Sequence, residues 1–493
     1  MKRSLFFLIF LLVLSLPAVL LIISPGYFPM HDDTQIVRID QMHQALRQGQ
    51  FPVRLVKDLG YGYGYPIFNF YNPLPYYFGA LLMFLNINAI IVTKITFIFP
   101  IILSGFTMLF LTKKYLSPAA SLLASLFYVY APYHAVQVYV RGALAEYWAY
   151  AFIPLLATAL LSHQLLLAGV TLALLILSHN LTALMIVPII GILFIIKLIF
   201  SKSKLKLISH YFSVALIGLS LSAFFWLPAL LEKDLTQLEL VLQNQTSPLE
   251  HFVFLRQLWT SEWGFGGSVE GINDGMSFMA GKLHLLLSAV SIPLLFLLKK
   301  TERKTLFFFC LSVLFVSIYM SSSLSYPFWS RLKIFTYLQF PWRWLIFISF
   351  STSILAGFSF NYLEIFAKKL IKHKLIILAG TLLLLIAFVA YSVKFFKPQY
   401  KYLITETESL SREQVNWIVS QQSDEYLPKG FIIPRTKEEA LGPKNPFNQT
   451  LIDEFTRPNS VRIISNYLSL ISLLIVILLV MLKLLNNYLK QRV

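Results

Sequence analysis

SLFFLIFLLVLSLPAVLLIISPGYFPMHDD, residues 4–33, is the stretch that decides the fold class. Its apolar run over residues 4–24 is long enough to cross a bilayer as one helix. The run is longer than the apolar core of a signal peptide and no small-residue cleavage site follows it, so we expect a retained helix. His31, Asp32 and Asp33 come shortly after this run. Two adjacent carboxylates just outside a membrane make residues 31–33 the first place to look for a function.

The composition extends the membrane interpretation to the whole chain. Hydrophobic residues make up 57% of the 493 residues and charged residues only 13%. The formal net charge is +18, but Lys and Arg are concentrated in short clusters between apolar runs, as in cytoplasmic loops. The charge therefore does not indicate nucleic acid as a partner. The single cysteine, Cys310, excludes an intramolecular disulfide.

These patterns predict an all-α polytopic membrane protein with about twelve transmembrane helices. The predicted spans are residues 4–24, 88–112, 117–134, 147–162, 164–179, 181–200, 208–231, 279–298, 305–323, 342–361, 375–394 and 466–486. The basic clusters predict that both termini are cytoplasmic and that the active face is extracytoplasmic. We expect a transmembrane module over 1–394, an extracytoplasmic segment over 395–465 that packs over the active face, and a last helix with a cytoplasmic tail over 466–493.

The first external loop, residues 25–87, is predicted to be ordered. Ile36, Ile39 and Met42 have helical spacing, which predicts an amphipathic helix over residues 34–55 that lies on the membrane. Alternating Gly, Tyr and Pro over residues 60–66 favour turns and aromatic anchoring at the interface. The short apolar run 74–85 is expected to be interfacial or half-inserted.

The acidic pair allows two interpretations. In the first, Asp32 and Asp33 lie in a solvated loop and cap the helix that begins near Thr34. In the second, one carboxylate binds a divalent cation or accepts a proton from an acceptor hydroxyl, and the other completes the site. His31 could be a metal ligand beside Asp32, but no second histidine at ligand spacing supports zinc.

Several short phrases carry a resemblance to known membrane proteins. They are YVRGALAE (139–146), LSHN (177–180), FWLP (225–228), WGFG (263–266), QFPWR (339–343) and YLP (426–428). Together with the acidic pair after the first helix, they resemble the GT-C superfamily of polyprenol-dependent glycosyltransferases. More narrowly, they look like the "6-pyruvoyl-tetrahydropterin synthase-related" and YfhO-like membrane proteins of bacteria and archaea. The pteridine chemistry in that label is not expected, since no zinc-binding histidine cluster is present.

The resemblance implies an acidic centre. Asp32 and Asp33 would activate the acceptor, and Glu146 occupies the place of the second acidic residue in the next external loop. Asp32 and Glu146 could hold a divalent cation, Mg²⁺ or Mn²⁺, although the Asp-x-Asp or Asp-Glu form of some relatives is absent. Whether a metal takes part therefore stays open.

Substrate-binding residues are expected around that centre. Arg141 and Arg343 would hold the donor phosphate, because a guanidinium fork matches phosphate oxygens; the alternative is that they snorkel to the interface. His31, His179, Trp263 and Gln339 complete the candidate set. The alternatives are a hydrogen-bonded structural His179 and an interfacial Trp263.

The sequence thus predicts an inverting glycosyltransferase that moves a sugar from a polyprenyl-phosphate donor to an extracytoplasmic glycan, lipid or protein acceptor, with the lipid bilayer as its other partner. A transporter or flippase of lipid-linked glycans, or a non-catalytic membrane scaffold, is the alternative. A transporter would be expected to keep charges along a path through the membrane, whereas Lys94 is nearly the only charge within the predicted spans.

Overall fold

The structure, a computed structural model, describes residues 2–244 and 247–490. Over these residues it is helical, with isolated β-bridges and no strand. Eight helices are long and apolar enough to cross a membrane: Ala89–Thr112, Leu144–Leu161, Asn180–Phe200, Lys204–Leu221, Thr301–Ser321, Pro341–Leu370, Lys374–Phe395 and Ser460–Tyr488. Four shorter apolar helices accompany them: Phe7–Ala18, Leu74–Met83, Leu165–Ser178 and Lys282–Ser291. The all-helical membrane class is confirmed, but the number twelve is not.

The helices follow one another in this order. The amino-terminal part and first loop contain α1 (Lys2–Ser15), α2 (Leu20–Ile23), α3 (Gln35–Arg47), α4 (Ile67–Phe70) and α5 (Leu74–Met83). The central part contains α6 (Ala89–Thr112), α7 (Pro118–Val129), α8 (Pro132–Val136), α9 (Leu144–Leu161), α10 (Leu165–Ser178), α11 (Asn180–Phe200), α12 (Lys204–Leu221), α13 (Ala223–Glu232), α14 (Leu238–Asn244), α15 (Leu255–Trp259), α16 (Lys282–Ser291), α17 (Thr301–Ser321), α18 (Tyr326–Arg331), α19 (Ile334–Leu338), α20 (Leu345–Leu370) and α21 (Lys374–Ser392). The last part contains α22 (Glu406–Ser409), α23 (Lys437–Leu441), α24 (Pro446–Thr456) and α25 (Ser460–Lys490).

Short turns of tighter or wider helix join these elements. The 3₁₀ turns are Leu16–Ala18, Lys233–Leu235, Pro248–Glu250, Pro293–Leu297, Ser323–Ser325, Pro341–Trp344 and Val393–Phe395. The π-helical turns are Gln137–Arg141 and Gln414–Val419. Four predicted spans are divided where a continuous helix was expected. A 3₁₀ turn follows α1 and another lies beyond α16, and short breaks follow α7 and α12.

The bundle has a buried centre and a lipid-facing periphery. Helix α20 is buried along most of its length and packs on α7, α16 and α17, while α9 packs on α6 and α10. Helices α11, α12, α21 and α25 leave most of their residues outside the buried core. Exposed apolar helices of this length are stable only where lipid replaces water around them.

The first external loop differs from its prediction. Helix α3 ends at Arg47, before Gly49 with its positive φ of 80°, so it is shorter than the predicted 34–55. It does not lie on a membrane surface, since Arg38 and Asp40 are buried together with its apolar residues. The helix packs on α5, and it approaches so closely that a Cβ on Gly79 would lie 2.9 Å from Ile39.

The glycine- and tyrosine-rich stretch also differs from its prediction. Tyr61, Tyr63 and Tyr65 are buried rather than anchored at a lipid interface. They contact the segment 395–465: the Tyr65 hydroxyl lies 3.3 Å from Ser423 Oγ, and the Tyr63 hydroxyl accepts a hydrogen bond from the Asn445 backbone N–H at 2.6 Å. The stretch therefore fixes that segment to the first external loop. Of the predicted carboxyl-terminal part 466–493, residues 491–493 lie outside the described residues.

Candidate functional site

Backbone hydrogen bonds fix the position of the acidic triplet. The Asp32 N–H donates to the Arg141 carbonyl at 2.8 Å, and the Gln35 side-chain amide donates to the Gly142 carbonyl at 2.9 Å. Gly142 has φ +65°, and a Cβ there would lie 2.2 Å from Met30 Sδ. Only glycine combines this positive φ with the close approach of Met30 at low energetic cost. The chain therefore holds Asp32 beside the phrase that carries Arg141.

A cavity of about 310 Å³ opens at this point, and most of the sequence-predicted residues line it. The predicted lining residues are His31, Asp32, Arg141, Glu146, His179, Gln339 and Arg343. Asp33 and Trp263 are absent from the lining. The cavity thus brings together residues from the first external loop, from the start of α9, from the α10–α11 junction and from the turn before α20.

Glu146 is the centre of a buried ionic cluster in the cavity wall. Its Oε1 accepts hydrogen bonds from the Tyr133 hydroxyl at 2.7 Å and from the Gln137 amide at 2.8 Å. Its Oε2 accepts from Arg141 Nη1 at 2.8 Å and lies 3.9 Å from Arg343 Nη1. Two guanidinium groups thus face one carboxylate. Within this cluster the guanidinium charges exceed the carboxylate charge by one, and Asp32 lies in the same lining.

Arg343 is held by neutral partners. Its Nη2 donates to Gln339 Oε1 at 3.0 Å, and its Nη1 lies 3.3 Å from His179 Nε2. His179 Nδ1 accepts a hydrogen bond from the Thr182 backbone N–H at 3.2 Å and lies 2.7 Å from Thr182 Oγ1. Gln339 has φ +63°, a conformation that costs energy in a residue with a side chain. The buried Nε of Arg343 has no hydrogen-bond partner.

Asp33 points to the other side of the acidic loop. The Tyr402 hydroxyl donates to Asp33 Oδ2 at 3.3 Å, and Tyr402 also pairs through its backbone with Tyr27. Burial raises the pKa of Asp33 to about 6, and the Tyr402 hydrogen bond opposes this rise. Asp33 thus connects the acidic loop to the segment 395–465, whereas Asp32 faces the cavity.

The remaining predicted residues lie at or beyond the rim. His31 lines the cavity, and its Nε2 lies 2.9 Å from the Phe265 carbonyl oxygen. The Trp263 ring packs against the Phe395 ring, with the centroids 5.0 Å apart. Trp263 is not among the residues that line the cavity. The WGFG phrase therefore approaches the site through Phe265 rather than through Trp263.

Several lining residues were not assigned to a site from the sequence. Arg38, Tyr71, Ser423 and Glu425 line the cavity, and Arg38 stacks over the Tyr71 ring at 4.6 Å. Burial raises the pKa of Glu425, and the nearby Arg38 guanidinium opposes this rise. The buried Nε of Arg38 has no hydrogen-bond partner. Arg38 could have been found as a basic residue among the apolar positions of the predicted helix. Glu425 could have been found because it directly precedes the YLP phrase.

One wall of the cavity is apolar. It is formed by Leu181, Leu238, Val241, Leu242 and Phe340. Leu181 lies in the first turn of α11, which is one of the candidate spans. The polar floor around Asp32 therefore adjoins an apolar wall at the end of a membrane-spanning helix.

The residues present do not fit the expected metal site. Glu146 has both oxygens occupied by Tyr133, Gln137 and Arg141, and two arginines would repel a cation placed beside it. No group of three or more His, Cys, Asp or Glu side chains is arranged to hold a metal in the described parts, 2–244 and 247–490.

The fold and the cavity define a polytopic helical membrane protein with an acidic and arginine-rich site at one end of its spans. The chain belongs to the membrane protein family described as 6-pyruvoyl-tetrahydropterin synthase related, whose model matches residues 68–396. No curated protein sequence matches the chain.

Two solved structures are similar to this chain. One is the apo oligosaccharyltransferase of Archaeoglobus fulgidus, with a TM-score of 0.51 and 14% identity, over 89% of this chain and 61% of that chain. The other is a mutant of the mycobacterial arabinofuranosyltransferase AftD, with a TM-score of 0.49 and 14% identity, over 79% of this chain and 28% of that chain. The chain spans less than two thirds of either protein. The first similarity confirms the GT-C-like fold.

Proposed function

We propose that this protein is an inverting membrane glycosyltransferase that uses a polyprenyl-phosphate sugar as donor. The observation that carries the proposal is the cavity in which Asp32 faces two arginines that share a single carboxylate, Glu146. Two guanidinium groups that share one carboxylate in a buried site can donate to the oxygens of an anionic ligand. A sugar phosphate supplies that anion.

Each group has a chemical role in the proposed reaction. The Asp32 carboxylate accepts the proton of an acceptor hydroxyl as its oxygen attacks the anomeric carbon of the donor. The bond between that carbon and the phosphate oxygen breaks, and its electron pair leaves with the phosphate. Arg343 and Arg141 stabilise the charge that develops on the departing oxygen. Attack opposite the leaving group inverts the anomeric configuration.

The apolar wall supports a lipid-linked donor. A polyprenyl chain needs an apolar path that begins at the membrane, and Leu181 lies on a candidate span while Val241 and Leu242 continue the wall. The phosphate of such a donor stays at headgroup level, where the arginines are. The expected orientation places this end of the spans outside the cytoplasm.

The segment 395–465 is proposed to shape the acceptor side. It contributes Gln422, Ser423, Glu425 and Tyr426 to the cavity lining. A buried carboxyl and a hydroxyl there are suited to hydrogen bonds with a hydroxylated acceptor. The sugar and the acceptor are left open.

Donor turnover by purified protein in proteoliposomes tests the proposal. Radiolabelled polyprenyl-phosphate sugars would be presented to the wild type, to Asp32→Asn and to the matched control Asp58→Asn. Asp58 lies in the same external loop, outside the cavity lining, and accepts a hydrogen bond from Gln41 at 3.0 Å. We expect turnover to fall by about 10²–10⁴-fold in Asp32→Asn only. A fully active and correctly inserted Asp32→Asn variant would sink the assignment, and donor translocation without turnover would favour a transporter instead.

A further inference from the structure

A second cleft lies at the opposite end of the same helices. It has a volume of about 300 Å³, and its lining includes Lys114, His163, Lys197, Phe200 and Glu302. Glu146 and Asn180 begin α9 and α11 at the first cavity, whereas the second cleft lies at the ends of these helices. Helix α9 has 18 residues and is therefore about 27 Å long. The two sites therefore lie at opposite ends of α9 and α11.

The cleft carries more positive charge than its own residues neutralise. Lys114 and Lys197 form no ion pair in the described part of the chain, and Glu302 is the single carboxylate among the lining residues. The rim adds further cations close in sequence to the lining: Lys113, Lys202, Lys204, Lys206, Lys299, Lys300, Arg303 and Lys304. This net positive charge favours the binding of an anion.

The contacts of Lys197 leave room for such an anion. Its ammonium group donates to the Leu160 carbonyl at 2.9 Å and lies 2.8 Å from His163 Nε2. An ammonium group only donates, so His163 accepts and carries its proton on Nδ1. Lys197 thereby satisfies an end carbonyl of α9, which explains its position but not the charge of Lys114. Within residues 2–244 and 247–490, Leu160 and His163 are the hydrogen-bond partners of the Lys197 ammonium group, so one of its three protons stays available to a ligand.

The cleft also has an apolar, lipid-facing side. Phe200 is half exposed at the end of α11, and Ile199 beside it is 71% exposed. Basic pockets between transmembrane helices on the cytoplasmic side bind phosphate-bearing lipid headgroups. The positive-inside rule assigns this basic face to the cytoplasm.

We infer that the cleft lined by Lys114, His163 and Lys197 is a binding site for a phosphate anion, with an anionic phospholipid headgroup as the ligand that its lipid-facing side fits. Lys114 and Lys197 contact the phosphate oxygens, and acyl chains extend past Phe200. This site is independent of the Asp32 cavity and of the proposed glycosyl transfer.

Thermal shift titrations of the full purified chain in detergent test the inference. The probes are phosphatidylglycerol, phosphatidylcholine and inorganic phosphate. The variants are Lys114→Gln, the pair Lys114→Gln with Lys197→Gln, and the matched control Lys372→Gln with Lys374→Gln. The control pair lies at the exposed start of α21, on the face that the same rule assigns to the cytoplasm, and removes the same charge.

We expect phosphatidylglycerol to stabilise the wild type and the control more than phosphatidylcholine does. Affinity should fall about fivefold in Lys114→Gln and about twenty-five-fold in the pair, since each lysine near an anionic headgroup contributes about one such factor. Lys114 is exposed, so its variant tests the site even if loss of Lys197 impairs folding.

The titrations with phosphatidylglycerol and with inorganic phosphate distinguish a lipid headgroup from free phosphate as the ligand. A lysine-dependent shift with phosphatidylglycerol but not with inorganic phosphate supports the lipid. An equal lysine-dependent shift with inorganic phosphate supports the anion site and assigns it a free phosphate. Phosphatidylglycerol binding that is unchanged in the pair, or equal binding of both lipids, overturns the inference.

Discussion

Arg141 and Arg343 face the same carboxylate, yet their loss should affect different properties: stability for Arg141 and turnover for Arg343. Arg141 donates a 2.8 Å charged hydrogen bond to Glu146, whereas Arg343 lies 3.9 Å from it, beyond hydrogen-bond range. In Arg343→Gln, Glu146 keeps its hydrogen bonds from Tyr133, Gln137 and Arg141. We therefore expect a change in unfolding free energy within about 1 kcal/mol and a loss of about 10²–10³-fold in turnover, the effect of removing one donor to a developing anion.

Arg141→Gln leaves Glu146 buried without its closest cation. Breaking a buried ion pair from one side costs about 3–5 kcal/mol. We expect a marked fall in melting temperature, and partial recovery when Glu146→Gln is added, since the buried charge is then removed as well. The two variants are neighbours in one cluster, so their effects should not add.

Melting temperature and donor turnover should be measured on the same preparations of wild type, Arg343→Gln, Arg141→Gln and the double variant. Stability preserved with activity lost in Arg343→Gln, and stability lost in Arg141→Gln, is the expected pattern. The reasoning is refuted if Arg343→Gln retains wild-type turnover, or if it destabilises the fold as much as Arg141→Gln does.

Three further predictions concern the scaffold around the cavity. The pKa of Asp33 is raised to about 6, so its ionisation opposes folding. Relative to Asp33→Asn, the wild type should lose up to about 3 kcal/mol of stability as the pH rises from about 4 to 6. A series of melting curves should show no further change above about pH 7. Gly142→Ala should lower turnover and should lower stability by about 1–3 kcal/mol. Gly49→Ala should cost less stability, because a Cβ added there meets nothing within 4 Å. Equal losses of stability in the two variants would contradict the contact between Gly142 and Met30. Arg462→Met should cost about 3–5 kcal/mol, because it leaves the buried Glu232 unpaired, and adding Glu232→Gln should restore part of this loss in the same melting assay.

Local patterns in the sequence were sufficient for the long spans. Residues 88–112 and 181–200 were predicted from apolar length alone, and the structure has helices over Ala89–Thr112 and Asn180–Phe200. The start of α6 is also encoded locally, since the Asn88 side chain accepts a hydrogen bond from the Ile90 N–H and caps the helix. Such signals depend on neighbours in sequence, so one sequence contains them in full.

Contacts between distant segments could not be predicted in this way. An amphipathic helix with Arg38 is equally consistent with a membrane surface and with a protein interior. Arg38 is buried beside Tyr71, Tyr76 and Glu425, and Glu425 belongs to a segment more than 300 residues further along the chain. Tyr63 and Tyr65 contact the same distant segment. The Gly-Tyr alternation predicts turns and aromatic side chains, but not which surface the rings meet.

Asp32 and Asp33 are adjacent in sequence, but the structure places their side chains in different surroundings. Adjacent side chains in a turn point in different directions, so the sequence could not decide whether Asp32 or Asp33 faces a substrate. The decision comes from the backbone hydrogen bond between Asp32 and Arg141 and from the hydroxyl of Tyr402, which holds Asp33 on the far side. A proton acceptor must reach the reacting hydroxyl, and only Asp32 of the pair lines the cavity. We therefore propose the chemical role for Asp32 and, for Asp33, the role of positioning the loop that carries it.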